Sequence, residues 1–167
     1  MEPVFPAAVD QGLIDTPSFA FYLGTSDGMA GELTLGGYDS SHFSGDLSYV
    51  PLIMENYWMA NLTSLTLNGQ SVSTCPRVIV DSGTSIFAGP SAEVKAIAAL
   101  VGAAPFFLNP KEYTIDCSKI PSLPDLVFTI GGLPFTLKGA DYTINAGGVC
   151  LFAMTGTLWV CLCVCIV

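Results

Sequence analysis

Apolar residues along the chain fall in short runs separated by Gly, Pro and Asn, the pattern of short strands joined by tight turns. Strands are predicted over Ser18–Tyr22, Glu32–Gly36, Leu47–Ile53, the run holding Leu62, Leu65 and Leu67, and Val78–Asp81. Further short ones follow at Tyr113–Ile115, Leu126–Ile130, Phe135–Leu137 and Tyr142–Ile144. Ser26-Asp27-Gly28 reads as a hairpin turn, and Asn68-Gly69 as a type I′ turn. Helical spacing is clearest at Val94, Ile97, Ala98 and Val101, with Ser91 as the expected N-cap and Gly102 as the left-handed stop. A second, short helix is expected within Phe5–Leu13, before Thr16-Pro17. The class this predicts is all-β, mainly strands with a few short helices. There is no internal repeat and no linker long enough to separate a pair of domains.

Composition sharpens that picture. Apolar residues make up 51% of the 167 and charged ones only 11%, where about a quarter is usual. Fourteen acidic residues face five basic ones, and no two of Arg77, Lys95, Lys111, Lys119 and Lys138 are adjacent. Without a phosphate-neutralising patch, no nucleic acid partner is expected. The scattered acids read as a solvated surface, compatible with an acidic lysosomal or secreted setting.

Six cysteines form two groups: Cys75, Cys117 and Cys150 in ordinary sequence, and Cys161, Cys163 and Cys165 alternating in an apolar tail. No C-x-x-C occurs, and His42 is the single histidine, so neither a metal nor a cofactor is expected. A Cys117–Cys150 disulfide is open to the chain in an oxidising compartment. The first residues lack the pattern of a signal peptide. Val149–Val167 carries no charge and has the length of a membrane span, but Thr155, Gly156 and Thr157 interrupt it and no basic residue follows. A membrane partner is therefore not the favoured expectation. Asn61-Leu62-Thr63 is a glycosylation sequon, usable only on the secretory route.

The chemistry concentrates at V-I-V-D-S-G-T-S, Val78–Ser85. An apolar strand that ends on a carboxylate must satisfy it, and Ser82, Gly83 and Thr84 offer hydroxyls, amides and a close backbone turn. D-S-G by itself is equally a common loop turn. Peptide hydrolysis by carboxylates takes two of them, one activating water as a base and one protonating the carbonyl oxygen as an acid.

Around this motif the sequence I-V-D-S-G-T-S, then x-x-x-G-P and a helix, resembles the second active-site motif of pepsin-like aspartic proteases, close to the cathepsin D group. G-E-L-T-L-G-G-Y-D-S-S-H-F-S-G-D-L-S-Y-V-P-L, L-T-S-L-T-L-N-G and C-S-K-I-P-S-L-P-D-L-V-F-T-I-G-G extend the likeness in order, from about Pro3 to Trp159. The resemblance implies the C-terminal lobe of a bilobal acid protease, incomplete, over residues 1–159, acting on protein or peptide substrates. It implies Asp81 as one catalytic aspartate. It puts Ser82 where a hydroxyl bonds across to the other lobe, Thr84 where one bonds the aspartate's outer oxygen, and Gly83 in the supporting turn. Ile79 and Tyr57 match residues lining the pocket beyond the scissile bond, although the first is equally a core strand residue and the second a sheet aromatic. Cys117 and Cys150 match the family's late disulfide. For the full-length protein a secretory, lysosomal or vacuolar location is implied.

The sequence departs from that pattern. The N-terminal lobe with the first aspartate is the expected missing partner, and Cys75 lacks the neighbouring cysteine many relatives carry. After Leu158-Trp159, residues 160–167 diverge into V-C-L-C-V-C-I-V, expected to reflect truncation or a missed splice. The expectation is an aspartic endopeptidase by family with this chain an inactive fragment, the alternative being a non-catalytic peptide-binding or membrane-anchored lobe.

Overall fold

The computed structural model describes residues 3–24, 29–157 and, through their backbone, 163–165. The Ser26-Asp27-Gly28 turn, Leu158-Trp159 and most of the 160–167 tail lie outside the described residues. Two compact units emerge, one up to Ser48 and one from Tyr49 onwards.

In the first unit, helix α1 (Val4–Asp10) ends before the expected Leu13, followed by Gly12 at φ 68°. Strands β1 (Phe19–Tyr22) and β2 (Glu32–Leu35) pair antiparallel, from Phe19 opposite Leu35 to Tyr22 opposite Glu32. A 3-10 turn at Ser40–His42 is capped by Asp39, whose carboxylate accepts from the Ser41 amide. No described residue of this unit is buried.

The second unit holds the core. Its strands are β3 (Leu52–Met54), β4 (Met59–Leu67), β5 (Gln70–Ser71), β6 (Arg77–Asp81) and β7 (Phe87–Pro90), leading into helix α2 (Ser91–Val101). Then come β8 (Ala104–Phe106), β9 (Asn109–Ile115), β10 (Leu126–Ile130), β11 (Leu133–Leu137), β12 (Thr143–Ala146), β13 (Val149–Phe152), β14 (Met154–Thr157) and β15 (Cys163–Cys165). The larger sheet runs β11-β10-β4-β6-β15-β7-β14, with β3 and β5 paired to β4, and a smaller one runs β12-β13-β9-β8. The mainly-β class expected from the sequence is what folds.

Alternation explains the core strands. In β10, Leu126, Phe128 and Ile130 point inward while Val127 and Thr129 are half-buried. In β4, Leu62 and Leu65 are three apart and would face opposite sides of a regular strand, yet both are buried. A register shift against Thr129 and Ile130 of β10 resolves the conflict, because a bulge restores the inward phase. Asn68 and Gly69 both have positive φ, 50° and 75°, as the predicted type I′ turn requires.

Helix α2 buries Val94, Ile97, Ala98 and Val101, and Gly102 stops it at φ 74°. Each large apolar side chain so buried contributes about 1.5–3 kcal/mol. Ser91, however, is the first helical residue and not the cap. Pro90 occupies the cap position, since proline's fixed φ suits a helix entry, and the Ser91 hydroxyl instead donates to the Thr157 carbonyl. The strand expected over Leu47–Ile53 is limited to Leu52–Met54, because only there does β4 supply a partner.

Tyr142 is fully buried, and its hydroxyl donates to the Pro124 carbonyl at 2.7 Å. Burial first, and the Asp125 charge second, push its pKa up to about 12. Cys117 and Cys150 form a disulfide with a sequence separation of 33, and closing a loop of that size contributes about 4 kcal/mol in the chain-entropy account. Cys75, whose state the sequence leaves open, is buried and disulfide-bonded.

Candidate active site

Strand β6 delivers the carboxylate. Val78 is fully buried and anchors it, while Ile79, Val80 and Asp81 are half-buried as the strand emerges. Beyond Asp81 the chain turns at once, and the turn satisfies both carboxylate oxygens. The Gly83 amide donates to Oδ1 at 2.9 Å, and the Thr84 hydroxyl donates to Oδ2 at 2.5 Å. These bonds, Thr84 first and Gly83 second, hold the Asp81 pKa below its ordinary 3.8 against a smaller opposing effect of burial.

Glycine at position 83 follows from space. A Cβ there would sit 3.2 Å from Asp81 Oδ1, a tight contact that the carboxylate would have to ease by a few tenths of an ångström. Ser82, between them, is exposed and makes no hydrogen bond among the described residues.

The neighbouring strand supplies the wall. Met59 of β4 lies opposite Ile79, and the Val80 amide donates to the Trp58 carbonyl at 2.9 Å. This sets Tyr57 and Trp58 beside the carboxylate. An open cleft of about 510 Å³ is lined by Leu52, Glu55, Tyr57, Trp58, Ile79 and Asp81, among others. Five of the residues singled out from sequence, Tyr57, Ile79, Asp81, Gly83 and Thr84, thus come together. Cys117 and Cys150 join the turn after β9 to β13 of the smaller sheet, apart from this cleft.

One supporting residue escapes a sequence reading. Glu93, in the first turn of α2, accepts hydrogen bonds from the Ser73 hydroxyl and from both the amide and hydroxyl of Thr74. It ties the approach to β6 onto the helix that follows the motif. A contact spanning about twenty residues leaves no local signal, and an acidic residue in a first helical turn is common in any case.

The eukaryotic aspartyl protease family model matches residues 1–161. Pepsin A of Bos taurus is 35% identical over 168 residues, covering 95% of this chain and 45% of that protein. The probable vacuolar protease A of Arthroderma benhamiae is 38% identical over 158 residues, covering 92% of this chain and 39% of its own. Cathepsin E of Oryctolagus cuniculus is 40% identical over 147 residues, covering 85% and 36%. The chain thus spans less than half the length of these relatives. With the family matched across nearly every residue of a mainly-β lobe, the chain belongs to the eukaryotic aspartyl protease family.

Proposed function

We propose that this chain carries one half of an aspartic endopeptidase centre, with Asp81 as one of two catalytic carboxylates acting on protein or peptide substrates. The observation that carries the reading is the Asp81 carboxylate itself, oriented through both oxygens by Gly83 and Thr84 and opening on an apolar-walled cleft.

In the reaction the ionised carboxylate takes a proton from water, whose oxygen attacks the peptide carbonyl carbon. The protonated partner carboxyl gives its proton to the carbonyl oxygen; collapse then breaks the C–N bond as the amine is protonated. The two carboxylates share one proton because like charges so close cannot both ionise. D-S-G occurs once in these 167 residues, and the second carboxylate is assigned to a partner lobe. The greater length of the relatives supports a second lobe as its source. Ile79 and Tyr57 contact the substrate side chain beyond the scissile bond, and the exposed Ser82 hydroxyl reaches the partner lobe. Tyr57 and Trp58, 60% and 55% exposed, supply apolar surface for peptide or partner. A secretory, lysosomal or vacuolar route fits the relatives' kind and the acidic net charge of −9.

The test is an acid-range peptidase assay on this chain alone and on a protein that joins it to a partner lobe, each with its Asp81→Asn variant. The expected result is cleavage by the joined protein, reduced at least about a hundredfold in Asp81→Asn, and none by the chain alone. Undiminished cleavage by Asp81→Asn would remove Asp81 from the chemistry. Peptide binding without cleavage by the folded joined protein would favour a non-catalytic peptide-binding lobe.

A further inference from the structure

The single histidine of this chain argues against a metal site when the sequence is read alone, because its companions are scattered. The fold of the first unit gathers them. Glu32 opens β2, Asp39 caps the 3-10 turn, and His42 ends it. His42 Nε2 lies 3.3 Å from Glu32 Oε2 and 3.9 Å from Asp39 Oδ2, and one ligand atom from each residue falls within 4.8 Å of the others. We propose that Glu32, Asp39 and His42 form a binding site for a divalent transition metal, zinc being the best match, on the face of the first unit.

Three features make this more than a surface ion pair. The outer oxygens are held from outside the cluster, Glu32 Oε1 by the Thr34 hydroxyl and Asp39 Oδ1 by the Ser41 amide, so that Glu32 Oε2 and Asp39 Oδ2 are the ones turned toward His42. Such outer bonds orient ligating carboxylates in metal sites. The imidazole is set by Tyr22, whose ring stacks on it at 3.9 Å and 9° between planes, and Tyr22 is the strand partner of Glu32. The spacing also suits the ion. Zinc held tetrahedrally at 2.0–2.2 Å separates its ligand atoms by about 3.3–3.5 Å, so closure asks only about 1 Å of movement from exposed side chains. One nitrogen with two carboxylates, leaving a fourth position to water, is a zinc-type donor set; calcium and magnesium prefer oxygen throughout. Bound metal would staple β2 to the turn that follows it.

The uniqueness of His42 makes the test clean, because its ring resonances cannot be confused with others and zinc held by the tail cysteines would not move them. Zinc chloride is titrated at pH 7.5 into the full chain and into Glu32→Gln and Asp39→Asn, with the imidazole followed by NMR. The expected result is a shift that saturates near one equivalent, with affinity falling at least about tenfold in each variant. Both changes are on exposed side chains; should Asp39→Asn disturb the turn, Glu32→Gln still decides. A ring that does not respond to zinc, or that responds with the same affinity in Glu32→Gln, overturns the site.

Discussion

Asp81 is fixed by donors from the two positions that follow Ser82, and this arrangement has a measurable electrostatic consequence. Replacing Thr84 with Val removes the main donor to Oδ2 while keeping its shape, so the Asp81 pKa should rise toward 3.8. Because a lowered native pKa contributes stability above the unfolded value and loses it as pH falls through the native one, the sign of the effect is set. Thr84→Val should be less stable than the parent at neutral pH, and the difference should shrink on acidification below about 4. Carbon-detected NMR titration of the Asp81 carboxyl and denaturant melts at two pH values check both expectations. An unmoved pKa would mean that another group holds the carboxylate down. These contacts are legible in the sequence because they span at most three residues. The exposure of Ser82 is not, since which hydroxyl turns inward depends on how β6 meets the turn.

At the scale of elements, legibility follows the range of the forces. The spacing of Val94, Ile97, Ala98 and Val101 marks the face of α2, and the inward alternation of Leu126, Phe128 and Ile130 marks β10 to the residue. Pairing decides the rest: Leu47–Ile53 has the pattern of a strand but only its last two residues enter β3, which runs on to Met54, and β9 reaches back to Asn109 because β8 pairs with it. Glu93 is the non-local case that bears on the site. Its carboxylate holds Ser73 and Thr74, the residues leading into β6, so Glu93→Ala should cost about 1–2 kcal/mol of stability. Glu93→Gln, which keeps an acceptor oxygen, should lose less. Chemical denaturation ranks the three, and equal stability of Glu93→Ala and the parent would show that the tether contributes nothing.

Across the whole second unit, the least expected contribution comes from the tail. Residues 163–165 run parallel to β6, with Cys163 opposite Ile79, Val164 opposite Val80 and Cys165 opposite Asp81, while Cys163 also pairs antiparallel with Ala88 of β7. The strand that bears the carboxylate and the strand that leads into α2 are therefore joined through β15. Ladder bonds use backbone groups, so a segment need only be apolar and rich in strand-forming residues to enter a central sheet position, and V-C-L-C-V-C-I-V is both. Read as sequence, the same uncharged run suggests an anchor or a stray ending; no helix among the described residues is long and apolar enough to cross a membrane. A Val164→Pro substitution removes a ladder amide from the middle of β15 and should loosen the strand beside Asp81. Amides of Val78–Asp81 should then exchange at least about tenfold faster, as expected for the loss of roughly one net hydrogen bond, while those of β10, across β4 from the change, keep their protection. Unchanged exchange in β6 would show that this sheet closes without its last strand, and that the carboxylate is positioned by β4 and its own turn alone.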